Sequence, residues 1–234
     1  MKVGIVRFPG SHGAANVADV YSRLLGASTY YVHFEEEDLK APDLLVLPGG
    51  FAFGDYVRPG GLTKGCNVSG AIRRFARDGG AILGLGNGFQ VLCELGVLPG
   101  AFLVNPSQAF CNEETYLVSE GNNGPFMADI PGGTILQLPM ACYSGRFYVD
   151  QRGLNEIESE GLVAFRYSDK EGDCDFETNF NGSVRSIAGL LSRNFRVLGL
   201  MPHPERRCEE LLGGTDGLKI IKRLFSSPSA AASA

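Results

Sequence analysis

Three short stretches of this chain carry residue types at spacings that do chemistry. The first is Met201-Pro202-His203-Pro204-Glu205-Arg206, directly after a strongly apolar run. A histidine and a glutamate two residues apart, held extended by two prolines, can face the same space. The carboxylate can then fix the tautomer of the imidazole and leave its other ring nitrogen for a nucleophile. A packed, hydrogen-bonded histidine fits the same tract equally well. The second stretch is Gly84-Leu85-Gly86-Asn87-Gly88-Phe89-Gln90. An apolar, strand-like run at 79–83 leads into it, and residues 89–95 leave it with helical spacing that ends at Gly96. This is the shape of a nucleophile elbow, a tight strand-to-helix turn that exposes one central side chain above a sheet. The residue after the centre opens the helix, so its N–H faces a developing oxyanion. The centre should be Ser or Cys, and here it is Gly86. The third stretch is Pro48-Gly49-Gly50, where a glycine pair after a strand can turn a second N–H inward. A structural turn explains that pair alone. The three in this order are more specific than any one of them.

Such residues need a scaffold that gathers strand ends. Residues 2–8, 29–34, 44–47 and 81–85 read as strands, and residues 16–25, 71–76 and 89–95 read as helices between and after them. That alternation predicts an α/β fold with a mainly parallel sheet flanked by helices, and a site at the carboxyl ends of the strands. The glycine-rich loop 51–61 is long for a compact domain, which marks it as functional. From Leu98 the texture changes to short β-type runs at 114–118, 134–140, 146–149, 163–167, 187–191 and 197–201, read as a small antiparallel insertion and a return to the main sheet. Residues 122–124 and 179–182 read as loops, and 218–224 as a last amphipathic helix. We expect one domain over residues 1–225 and a disordered Ser/Ala/Pro tail at 226–234.

Composition narrows the function classes. The 234 residues are 44% hydrophobic and 20% charged, with a net charge of −5, which describes a soluble globular chain with a real core. No basic stripe stands out, so nucleic acid is not an expected partner. No apolar run reaches membrane length, and Met1-Lys2 leads straight into a strand without a signal peptide, so a cytoplasmic protein with no membrane contact is expected. Organelle import followed by processing is compatible with the same residues. Six cysteines show no CxxC spacing and no tight pairing with the three histidines, which favours reduced thiols over disulfides or a metal site. The acidic run at 35–38 reads as a solvated loop. Neither cofactor nor metal is expected.

Nearly the whole chain resembles the small, stand-alone glutamine amidotransferase subunit of phosphoribosylformylglycinamidine synthase, within the triad-type (class I) amidotransferases. The likeness rests on Leu47-Pro48-Gly49-Gly50-Phe51, Gly54-Asp55-Tyr56-Val57-Arg58, Asn87-Gly88-Phe89-Gln90, Ile187-Ala188-Gly189, Gly199 to Arg206, and Leu211-Leu212-Gly213-Gly214-Thr215-Asp216-Gly217. The resemblance implies a flavodoxin-like fold. It implies glutamine hydrolysis through a cysteine thioester, with ammonia passed to a large synthetase partner. Carried over by position, His203 would be the general base and Glu205 its orienter. Gly50 and Asn87 would give oxyanion N–H groups, and Gln90 would lie near bound glutamine.

The family's cysteine falls on Gly86, and without sulfur there is no thioester. Other departures are independent of it. His12-Gly13-Ala14 stands where the family has Asn-Cys-Asp, and Ala141-Cys142-Tyr143-Ser144-Gly145 stands where it has Ala-His-Gly-Glu-Gly or close to it. Losses in separate loops favour natural divergence over a single engineered change. The sequence therefore leads us to expect a catalytically inactive amidotransferase-like subunit that binds within a larger assembly, with glutamine as a possible occupant of the vestigial pocket. The alternative is a glutaminase subunit of phosphoribosylformylglycinamidine synthase bearing an inactivating change.

Overall fold

The structure, a computed structural model, describes residues 1–121, 124–175 and 177–226. Asn122 and Asn123 of the expected loop, and residues 227–234 of the expected tail, lie outside the described residues, whereas Ser226, the first residue of that tail, ends a short helix. In chain order the strands are β1 (Lys2–Arg7), β2 (Ser28–His33), β3 (Leu44–Leu47), β4 (Ala81–Leu85), β5 (Ala101–Leu103), β6 (Cys111–Ser119), β7 (Ile135–Cys142), β8 (Arg146–Tyr148), β9 (Val163–Ser168), β10 (Ile187–Leu191) and β11 (Val197–Leu200). The α-helices are α1 (Ala14–Asp19), α2 (Asn67–Arg77), α3 (Asn87–Glu94), α4 (Gln151–Ser159), α5 (Asp216–Ile221) and α6 (Arg223–Ser226). Among the described residues no helix is long and apolar enough to cross a membrane.

One nine-stranded sheet runs in the order β2-β1-β3-β4-β11-β10-β9-β6-β7. From β2 to β11 every neighbouring pair is parallel, and from β11 to β7 every pair is antiparallel. The α/β class read from the sequence holds, and the parallel half has the flavodoxin-like order. Strands β3 and β4 are buried at every residue, which is why their sequences are unbroken apolar runs rather than alternating ones. Strands β6 and β7 instead alternate toward one covered face, and Leu117, Leu136, Leu138 and Met140 supply its core.

Two of the contacts that tie the inserted segments to the parallel half lie beside the Gly86 turn and β11. The amide of His203, just beyond β11, donates to Pro139 O on β7 at 2.8 Å. Strands β5 and β8 form a separate two-stranded sheet whose Phe102 and Phe147 close on Phe89 of α3, with ring centroids 4.9 and 6.1 Å away. The inserted segment thus braces the helix that follows the Gly86 turn.

Several elements differ from the expectation. The helix expected at 16–25 is α only over Ala14–Asp19 and continues as a wider π turn over Val20–Leu24. The last helix breaks at Lys222 into α5 and α6. Strand β5 and helix α4 were not expected at all. Helix α4 is capped by Asp150, whose side chain accepts from Gly153 N at 2.8 Å.

Candidate active site

The carboxyl ends of β3, β4 and β11 lie side by side, because Leu47 pairs with Gly84 and Leu200 pairs with Leu85. One residue beyond β4 the chain turns. Gly86 sits at φ 51°, ψ −111°, and α3 begins at the next residue. Its N–H donates to Leu200 O at 2.8 Å, and its carbonyl accepts from Phe89 N at 3.0 Å. L-residues rarely adopt this backbone, which costs them about 1–3 kcal/mol, and glycine enters it without a Cβ penalty. The next glycine, Gly88, lets the helix start press against the Leu47 carbonyl, where a Cβ has no room.

His203 faces this turn. A Cβ built on Gly86 would stand 2.7 Å from its Cε1 and 3.1 Å from its Nε2, and one built on Gly49 would stand 2.5 Å from Cε1. The imidazole is therefore clamped between two bare stretches of backbone, over the spot where an elbow side chain would emerge. Its Nδ1 lies 2.8 Å from Glu205 Oε1. Both residues are buried, at 3% and 2% exposure. A carboxylate oxygen accepts, so Nδ1 carries the proton in the neutral ring, and the lone pair of Nε2 faces Gly86. Among the described residues the other carboxylate oxygen of Glu205, Oε2, has no hydrogen-bond partner. Arg206 Nε lies 3.8 Å from Oε1.

The expected oxyanion donors flank the turn. Gly50 follows β3 at φ 142°, where a Cβ would run into the Gly10 carbonyl, and Asn87 opens α3. Neither N–H has a hydrogen-bond partner among the described residues. The side chain of Asn87 holds the surroundings together. Its Oδ1 accepts from Ala52 N at 2.9 Å, and its Nδ2 donates to Asp55 Oδ1 at 3.0 Å and to Gln90 Oε1 at 2.8 Å. Gln90 passes the chain on, donating through Nε2 to Ser144 O at 2.7 Å. Burial pushes the Asp55 carboxyl up to about 6, against the opposing pull of hydrogen bonds from Asn87 and the Gly60 N–H.

The structure thus brings Gly86, His203, Glu205, Gly50, Asn87 and Gln90 to one end of the sheet. The sequence did not give roles to Asp55 and Ser144. The first lies within the Gly-Asp-Tyr motif quoted above, and the second contributes only a backbone carbonyl, which leaves no residue-type signal.

Neither Cys93 nor Cys142 is placed to act as a nucleophile at the Gly86 turn. Cys93 is in the core, donates to Pro99 O at 3.4 Å, and has its thiol pushed far up by burial. Cys142 is buried behind the 143–145 turn, and burial pushes its thiol up to about 12. Neither is a thiolate at neutral pH. The departure at 12–14 has a structural job, since Gly13 N donates to Gly49 O at 3.0 Å and His12 stands edge-on to Phe51.

Residues 1–213 match the family model described as a CobB/CobQ-like glutamine amidotransferase domain. Phosphoribosylformylglycinamidine synthase subunit PurQ of Aquifex aeolicus is 41% identical over 97% of this chain and 100% of its own length. The protein of the same name from Thermus thermophilus is 44% identical over 93% of this chain and 95% of its own. Among solved structures, a chain of PurLQS from Thermotoga maritima superposes with a TM-score of 0.82 at 34% identity, covering 96% of this chain and 97% of that one. Full-length likeness at this level shows that the chain belongs to the CobB/CobQ-like glutamine amidotransferase family.

Proposed function

We propose that this chain is the glutamine amidotransferase subunit of a phosphoribosylformylglycinamidine synthase and docks on a large synthetase partner. The observation that carries the reading is the buried His203–Glu205 pair, 2.8 Å apart and aimed at the Gly86 turn between two unengaged N–H groups. The relatives' shared name, and the likeness to a chain of the solved PurLQS structure, support both the activity and the partner. They favour the glutaminase reading over the inactive one expected from the sequence. In this role Glu205 orients the imidazole, and His203 moves protons at Nε2. Gly50 and Asn87 hold the oxyanion, and Gln90 closes the pocket wall next to the substrate. Gly86 supplies no nucleophile, so the covalent step calls for a thiol at that position.

Gly86 is also the specific observation that favours a second reading, a non-hydrolytic subunit whose pocket no longer supports hydrolysis and that keeps only the protein contact. One experiment separates the two. Wild-type chain and Gly86→Cys are each mixed with a PurL-type synthetase, and complex formation and ammonia release from glutamine are measured. Complex formation with activity recovered by Gly86→Cys supports the glutaminase reading. Complex formation with both proteins silent supports the non-hydrolytic one. Ammonia release by the unmodified chain would overturn the assignment of position 86, and failure of both proteins to bind the synthetase rejects both readings.

A further inference from the structure

Cys111 and Cys142 face each other across the β6–β7 ladder, as the first residue of one strand and the last of the other. Residues directly opposite on antiparallel strands have Cα atoms about 4.5–5.5 Å apart and side chains on the same face. That separation lies inside the range of about 4.4–6.8 Å that bridged cysteines span. The face is the covered one, since the same side carries Thr115 and Leu117 on β6 and Leu136, Leu138 and Met140 on β7, all buried. The two sulfurs are close enough that each adds to the electrostatic environment of the Tyr167 hydroxyl, and Cys111 acts on Cys142. Both are free thiols.

The Cys142 side chain is buried and packs over Gly145, where a Cβ would run into its Sγ, so its hold is packing rather than polar bonding. Its Sγ touches Asn105 at 3.9 Å, a weak contact. The firm anchors of this corner are made by Asn105 to backbone. Its Nδ2 donates to Cys142 O at 3.0 Å, its Oδ1 accepts from Gly145 N at 2.8 Å, and its own N–H donates to Tyr143 O at 3.0 Å. Rotation of the Cys142 side chain toward Cys111 leaves all three in place.

We propose that Cys111 and Cys142 are a disulfide-forming pair, a redox-modifiable staple that ties the start of β6 to the turn at 143–145. The oxidant is a low-molecular-weight disulfide. Cys111, the less buried of the two, loses its S–H proton and attacks one sulfur of that disulfide, expelling one thiolate. Cys142 then loses its proton and attacks the Cys111 sulfur, forming the protein S–S bond and expelling the second thiolate. Two electrons pass to the small disulfide, which takes up the two protons as two small thiols. Burial pushes both protein thiols up, so few thiolates are present and exchange is slow. The property to measure is the equilibrium, reached over hours. The staple closes on the backbone that receives the Gln90 hydrogen bond at Ser144 O, so it stiffens one wall of the site.

The test equilibrates the full chain with oxidised and reduced glutathione at several ratios, followed by thiol counting, non-reducing peptide mapping and thermal melting. The expected result is loss of two of the six thiols, one linked peptide joining 111 to 142, and a rise in Tm of about 5–10 °C that reduction reverses. Cys111→Ser should abolish all three changes, and Cys174→Ser, at an exposed thiol, should leave them intact. Six persisting thiols, glutathione attached to Cys111 alone, or a link to any other cysteine overturns the proposal.

Discussion

The His203 ring and the Gly86 backbone share one space, since a Cβ at position 86 would reach within 2.7 Å of the imidazole Cε1. The imidazole already occupies the space that a side chain at position 86 would enter. Gly86→Ala should therefore destabilise the fold by about 1–3 kcal/mol from backbone strain alone, with the contact adding to it. Urea unfolding checks this, and a change within a few tenths of a kcal/mol would falsify the conformation assigned to the turn. The same crowding requires His203 to shift before Gly86→Cys can place a sulfur beside Nε2.

Asn87 joins the loop after β3 to the start of α3 and to Gln90. Its replacement by Ala leaves the Ala52 N–H and the Gln90 carbonyl oxygen without those partners. A loss of about 2–4 kcal/mol is expected from buried groups left unsatisfied. Hydrogen exchange at Ala52 should also speed up, and unchanged protection there would reject the contact.

Asp55 makes stability depend on pH in a defined direction. Its folded-state value, about 6, lies above the ordinary 3.8, because burial disfavours the charged carboxylate. The native state then binds more protons than the unfolded chain between about pH 4 and pH 6, and this group's contribution is lost as pH rises through that window. The side chain is only half-buried, so screening holds the effect to about 1–2 kcal/mol. Asp55→Asn keeps an acceptor for Asn87 and should flatten the change. Equal pH slopes for wild type and variant would count against it.

The His203–Glu205 bond fixes a tautomer. In wild type at alkaline pH, nitrogen NMR should find the proton of the neutral ring on Nδ1 and a bare Nε2. Glu205→Ala should give a mixture of the two forms. A wild-type ring protonated on Nε2 would show that the acceptor face points away from Gly86.

Much of the parallel half was legible because its signals are local. Val3, Ile5 and Val6, or Leu44 to Leu47, form unbroken apolar runs that only a strand buried on both faces explains. The Gly86 turn was equally legible, as a strand, a glycine and a helix in immediate succession. Helix α4 had a readable start in Asp150, but Gly153 in its first turn and only Leu154 and Ile157 as buried anchors weakened the periodicity. Strand β5, three residues long, has too few positions to show any period. At the site, residue types announced His203, Glu205 and Gly86. The supports given by Pro139 O, Ser144 O and Leu200 O are backbone carbonyls, identical in every residue, and only the fold reveals them.

The pairing of β4 with β11 also governs when the site can exist. Ile82 to Leu85 find their partners at Val197 to Leu200, far along the chain, and only parallel β3 lies on their other side. Closing so long a loop is slow, and its entropic cost falls before the contacts it permits are made. A chain emerging from the ribosome can assemble β1 to β4 and the Gly86 turn early. It then waits with one edge of β4 unpaired until residue 200 has been synthesised. The geometry of the candidate site is thus a late event in biosynthesis, and until then the unpaired edge of β4 is open to mispairing.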